Sequence, residues 1–285
     1  MNEKTRQLAE VIKGRRTSDG AGVRLTRILS PALVESFDPF LLLDEFASDD
    51  AADYIAGFPD HPHRGFATVT YMLDGAMLHR DHLGNEGHLR AGGVQWMSAA
   101  RGIIHSEMPE QQNGRMHGFQ LWVNLPAREK MKPPHYLEFQ AYEIPRIELK
   151  QGGSIKLIAG NYPNAEGEIV GAVTGISTKP LYFDVALGSD QSLAVPVAEQ
   201  ATAFVYVYRG QVLFDDSGRL EAGQLGRLID GKQIRLASDR EPAGFLVVAG
   251  HPLNEPVAHS GPFVMNTVDE IEQAYRDLRA GVFAR

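Results

Sequence analysis

Short runs rich in Val, Ile, Thr, Phe and Tyr recur along this chain, and glycine or proline punctuates them. The clearest are Thr68-Val69-Thr70-Tyr71, Gly118 to Val123, Tyr182 to Leu187, Phe204 to Tyr208 and Phe245 to Ala249. Short strands separated by turn signals at this spacing predict an all-β barrel or sandwich. Helical spacing emerges only near the end. There Thr267-Val-Asp-Glu270 forms a capping box, Ile271, Tyr275 and Leu278 share one face, and Gly281 supplies a stop. These signals predict a C-terminal helix of about three turns.

The pattern also repeats. Tyr71-Met-Leu-Asp-Gly75 aligns with Tyr206-Val-Tyr-Arg-Gly210, and a strand, a polar turn and a second glycine turn follow in both places. Two copies of one β-barrel explain 285 residues better than a single domain does. The join falls between Met131 and Gly153, where Lys132-Pro133-Pro134 and Ile144-Pro145 interrupt the alternation.

Composition narrows the partners. A net charge of −8, with no long basic run, argues against direct nucleic-acid binding and against a membrane patch. The absence of cysteine removes disulfides, thiolate nucleophiles and Cys-based metal sites. The charged start Met-Asn-Glu-Lys-Thr-Arg leads into no apolar signal core, so a cytoplasmic protein is expected.

Chemistry concentrates in two pairs. On a strand, residues i and i+2 share a face, so His61 and His63 can point together into a barrel. His105 and Glu107 have the same spacing. Two such strands would bring three imidazoles and one carboxylate to one point. That donor set suits Fe, Mn, Co, Ni, Cu or Zn, and leaves two positions open on an octahedral ion. Moving His61 and His63 forward by the repeat offset lands on Pro196 and Ala198, so the second copy carries no matching site. The remaining histidines read as less eventful. His79, His82 and His88 lie in a charged stretch that reads as a solvated hairpin loop, whose Asp81, Asn85 and Glu86 lack EF-hand spacing. His117 near a strand start is a candidate supporting residue; His135, His251 and His259 read as structural or exposed.

At these residues the sequence resembles the pirins, two-domain members of the cupin superfamily. The resemblance runs through Phe37-Asp-Pro-Phe-Leu-Leu-Leu-Asp-Glu-Phe46, His61-Pro-His-Arg-Gly-Phe66 and Arg101-Gly-Ile-Ile-His-Ser-Glu-Met-Pro109. It continues in Leu121-Trp-Val-Asn-Leu-Pro126 and Gly261-Pro-Phe-Val-Met-Asn-Thr267. It implies a bicupin, two antiparallel β-barrels followed by a short helix. Residues 1–135 would form the N-terminal metal-binding barrel, and 136–250 a C-terminal barrel without metal ligands. The segment 251–285 would be a tail and helix packing back on the N-terminal domain.

The family's ligands fall on His61, His63, His105 and Glu107, with Fe(II) the expected metal and Ni, Mn, Co, Cu and Zn as alternatives. Where pirins commonly carry glutamate, Ala67 stands here, removing a polar group expected near the cavity. The resemblance further implies a quercetin 2,3-dioxygenase-like activity on a flavonol and dioxygen, with Glu107 as base. A non-enzymatic, metal-binding regulatory protein with a protein partner is the rival reading. A metal-dependent isomerase is a third, because fold does not fix function.

Overall fold

The computed structural model describes residues 4–149, 152–215 and 218–284. They form two compact units: the described residues of Met1–Gly14 with Glu143–Pro252, and Arg15–Tyr142 with the described residues of Leu253–Arg285. The first strand, β1 (Gln7–Lys13), belongs to the unit made mainly from Glu143–Pro252.

The unit that carries the paired histidines is built from β2 (Arg15–Asp19), β3 (Val23–Leu29), β4 (Phe40–Ser48), β5 (Phe58–His63), β6 (Phe66–Asp74) and β7 (Ala76–Asp81). To these are added β8 (Glu86–Arg90), β9 (Val94–Ser98), β10 (Ile103–Pro109), β11 (Met116–Asn124) and β12 (His135–Phe139). They make a seven-stranded sheet in the order β12-β9-β6-β11-β4-β3-β2 and a four-stranded sheet in the order β5-β10-β7-β8.

The other unit continues with β13 (Arg146–Glu148), β14 (Gly153–Ala159), the hairpin β15 (Asn161–Asn164) and β16 (Gly167–Val170), and β17 (Leu181–Leu187). Then come β18 (Ser192–Pro196), β19 (Thr202–Arg209), β20 (Gln211–Phe214), β21 (Gly218–Glu221), β22 (Gln224–Ile229), β23 (Gln233–Ser238) and β24 (Ala243–Gly250). Its two sheets run β1-β22-β19-β24-β17-β14-β13 and β18-β23-β20-β21. Strand for strand, this is the order of the first unit. The five strand runs read from the sequence fall within β6, β11, β17, β19 and β24.

The duplication read from the sequence is therefore a duplication of ladders. β6 ends at Gly75 and β19 at Gly210, with φ of 88° and 70°, a left-handed turn that glycine adopts without steric cost. One edge is filled differently. Beside β9 lies β12, which follows in the chain, whereas the matching place beside β22 is taken by the N-terminal β1.

Behind the second unit's sheets lies an apolar core of alternate residues, including Val195, Val205, Val247, Ile234 and Phe245. At the chain end, β25 (Ala258–Ser260) pairs with β26 (Phe263–Met265), and the helix Val268–Arg279 follows. Thr267 caps that helix with the full capping box. Ile271 and Ala274 bury against Phe263, Met265 and Phe283, with Tyr275 and Leu278 alongside. No helix among the described residues is long and apolar enough to cross a membrane.

Candidate metal centre

β5 and β10 are antiparallel neighbours, and the ladder sets His105 directly opposite His61, with Ile103 opposite His63. Period-two alternation then turns all three imidazoles to one side. Their ring centroids lie 4.7 Å (His61–His63), 4.3 Å (His61–His105) and 5.1 Å (His63–His105) apart. One ring nitrogen from each lies within 4.8 Å of those of the other two.

Burial decides their charge. His63 and His105 are nearly inaccessible, and burial first, then the neighbouring imidazoles, pushes both pKa values well below the usual histidine range. Both rings are neutral at neutral pH, each with a lone pair to offer. His61 Nδ1 lies 2.8 Å from the Pro59 carbonyl, which can only accept, so its proton sits on Nδ1 and Nε2 is free. His63 Nδ1 and His105 Nε2 are buried with no hydrogen-bond partner. Unsatisfied buried polar atoms are uncommon and costly, by about 1–3 kcal/mol each. A cation bound by these lone pairs would repay that cost. The three residues therefore fit a divalent transition metal.

Glu107 sits differently from its expected companions. Its donor oxygens are not among those that converge within 4.8 Å. Oε1 lies 2.7 Å from Thr70 Oγ1, and Oε2 accepts from Gln120 Nε2 at 3.2 Å. A β-bulge between His105 and Glu107 offsets the strand there. The carboxylate nevertheless lines the same cavity as His61 and His63.

That cavity has a volume of about 680 Å3. Alternate residues of neighbouring strands in the seven-stranded sheet form one wall: Thr70 of β6, Gln120 and Trp122 of β11, Leu42 and Phe46 of β4. Trp122 meets the His63 ring edge-on at 5.3 Å. An ion pair crosses the lining, where Arg27 Nε and Nη2 donate to Asp44 at 3.0 and 2.7 Å. Burial outweighs the guanidinium and lifts the Asp44 pKa to about 6, while the pairing raises that of Arg27.

The loop after His63 is anchored by the chain end. Arg64 Nη1 donates to Asp277 of the C-terminal helix at 2.6 Å, and its guanidinium lies 4.4 Å from the Phe283 ring centre. Lys130 Nζ, buried, donates to the Gly65 carbonyl (2.7 Å), Asn124 Oδ1 (2.6 Å) and the Val264 carbonyl (3.0 Å). Burial lowers its pKa to about 8. Gly65 has φ 91°, and a Cβ there would overlap the Val264 carbonyl oxygen. The histidine strand is thus held by backbone and tail together.

Two expectations need correction. His79 is not in a solvated loop: it lies on β7, 1% exposed, stacked on Tyr136 at 4.7 Å. The hairpin is real, but its turn is confined to the residues between β7 and β8, where His82 is exposed; His88 is exposed on β8. The signal was present, since His79 and Asp81 repeat the i, i+2 spacing of the other pairs, but the charged neighbours obscured it. Ala67 does not face the cavity. Phe66, which meets the His63 ring, and Thr70, which bonds Glu107, occupy one face of β6, so residue 67 points to the other. The missing glutamate removes nothing from the cavity. His259 is exposed, as expected, and lines the cavity mouth, while His117 pairs with Glu45 at 2.8 Å.

Comparison with known proteins agrees with this geometry. The family model for Pirin matches residues 22–123, and that for the Pirin C-terminal cupin domain matches 182–284. A Caulobacter vibrioides pirin-like protein is 48% identical over 281 residues, covering 98% of this chain and 99% of its own. A Pseudomonas aeruginosa protein, provisionally named a quercetin 2,3-dioxygenase, is also 48% identical and covers 98% of both chains. The crystal structure of a quercetin 2,3-dioxygenase from Acinetobacter baumannii superposes with a TM-score of 0.89 at 34% identity, covering 98% of this chain and 99% of that one.

Proposed function

The chain belongs to the pirin family, and on that premise we propose that it holds one divalent metal, Fe(II), and opens a flavonol ring with dioxygen as quercetin 2,3-dioxygenases do. His61, His63 and His105 would hold the metal, and we assign Glu107 the double role of fourth ligand and base. The observation that carries this reading is the convergence of three imidazoles beside a cavity that Glu107 also lines. The names of the Acinetobacter and Pseudomonas relatives support the substrate class.

A metal at this place supplies Lewis acidity toward an enolic hydroxyl and the electron-transfer capacity that dioxygen chemistry requires. The protein supplies the rest. Leu42, Phe46, Phe58 and Trp122 give apolar walls for a planar aromatic ring, in a cavity within the usual size range of small-molecule sites. Glu107 accepts the proton of the flavonol 3-hydroxyl on a carboxylate oxygen. The Gln120 amide and Thr70 hydroxyl hold that carboxylate against the cavity wall, from which it would have to turn toward the histidines to act as fourth ligand. With Glu107 only 4% exposed, little water competes for the transferred proton.

The test is an anaerobic titration of the Fe(II)-loaded protein with quercetin, followed by admission of air and detection of carbon monoxide. Spectral change on quercetin binding, then ring opening with carbon monoxide release, is the expected result. Full metal occupancy without turnover would overturn the activity. In the same assay Glu107→Gln should retain most of its metal and lose turnover by roughly a hundredfold or more, the usual weight of a positioned base; an unchanged rate removes Glu107 as base.

A further inference from the structure

Behind His105 lies a second pair that the proposed chemistry does not use. β7 and β10 are antiparallel neighbours, with Asp81 opposite His105 and His79 opposite Glu107. His79 Nδ1 lies 3.4 Å from His105 Nδ1, and His79 Nε2 lies 3.4 Å from Asp81 Oδ2, both at the long end of hydrogen-bond distance. The Asp81 side chain is fully buried and fixed, accepting from the Leu83 and Asn85 backbone amides (2.9 and 3.0 Å) and from Asn85 Nδ2 (2.8 Å).

Proton positions follow from one end of this row. Both Asp81 oxygens already accept from amide N–H groups, so Asp81 faces His79 as an acceptor and the proton between them sits on His79 Nε2. Its Nδ1 is then an acceptor. The His105 Nδ1 facing it must therefore be the protonated nitrogen, and the lone pair of His105 is left on Nε2. That atom is the buried one with no partner.

We infer that His79 is a positioning residue: with Asp81 behind it, it fixes the tautomer and ring orientation of His105 so that Nε2 presents a lone pair to the metal. This rests on the metal reading above and extends it by two residues. Outer hydrogen bonds of this kind orient imidazole ligands and raise their basicity. The other unit shows that packing alone does not demand a histidine here. By ladder position His79, opposite Gly87, corresponds to Phe214, opposite Gly218, and Phe214 is buried in an apolar core. An aromatic ring without nitrogen fills that place in the same fold.

The comparison supplies the test. His79→Phe should keep the stack on Tyr136 and fold, but weaken Zn(II) binding, measured by chelator competition, by roughly 10–100-fold. His79→Gln, which can still accept from His105, should recover part of the loss. Nitrogen-15 correlation spectra of the Zn(II)-loaded wild-type protein should show His79 protonated on Nε2 and His105 on Nδ1. This readout does not depend on any variant folding. An affinity for His79→Phe within about twofold of wild type, or His79 protonated on Nδ1, overturns the positioning role alone. Wild-type protein that binds no Zn(II) overturns the metal reading and this role together.

Discussion

The two units share strand order and ladder register, yet one interior is wet chemistry and the other is grease. Matching by ladder position, His61 corresponds to Val195, since His61 faces His105 as Val195 faces Ile234. His63 then corresponds to Val197, Glu107 to Leu236, Thr70 to Val205 and Gln120 to Val247. Each of these counterparts lies in a single apolar core. The comparison teaches that this ladder does not require polar residues at those places. Valine, isoleucine and leucine fill them at less cost, because buried polar atoms need partners that apolar side chains do not. Two buried histidines held neutral, each with a nitrogen unsatisfied, are thus a departure from what folding alone favours. Such departures mark function.

The largest expected effect breaks the difference directly. His105→Ile installs the counterpart residue and should weaken metal binding by about a hundredfold or more, since one of three imidazole donors is lost. It should change the stability of the metal-free protein by less than about 2 kcal/mol, because removing the unsatisfied His105 Nε2 is offset by leaving His79 Nδ1 without its partner. Denaturant titration alongside metal analysis checks both; a larger loss of apoprotein stability would mean that the histidines are structural.

The converse exchange should be unequal. Ile234→His places an imidazole in a core without partners and should destabilise by about 3 kcal/mol, read from the urea midpoint. A midpoint unchanged from wild type would show that the second interior tolerates polarity and that the contrast is weaker than its burial suggests.

The smallest effect is one of pH. In the metal-free chain, His63 and His105 stay neutral while folded, so only the unfolded chain takes up those protons below about pH 6.5. Their contribution is present above that pH and is lost as pH falls. Asp44 acts the other way: with its pKa raised to about 6 when folded, it adds stability as pH drops from about 6 toward 4. Wild-type apoprotein should therefore lose stability between pH 7 and 5. The double variant His63→Val with His105→Ile should hold level or gain, and parallel pH profiles would contradict the assigned charge states.

Much of this is legible in the sequence, and the exceptions are instructive. The strand runs, the duplication and the capping box at Thr267 are local signals, carried by neighbouring residues, and all appear in the fold. The i, i+2 pairs brought the three histidines together because strand alternation is rigid. What the sequence could not convey was pairing at a distance. A constant repeat offset put His61 and His63 on Pro196 and Ala198, one residue from the ladder counterparts, because turn lengths differ between the copies. The partner of β1 was hidden for the same reason. His79 escapes a sequence reading because its charged neighbours suggest exposure, whereas the Asp81 side chain is itself buried and satisfied. Ala67 matters little because strand alternation turns it away from the cavity, a fact of tertiary placement that the sequence alone does not carry.

The central claim is that one unit holds a metal and the other cannot. The most direct measurement is the metal content of anaerobically Fe(II)-loaded protein, wild type against a triple variant carrying His61→Val, His63→Val and His105→Ile. One equivalent per chain in the wild type and none in a folded triple variant is the predicted result. A folded triple variant that keeps its equivalent, or a wild type that binds two, would contradict the account.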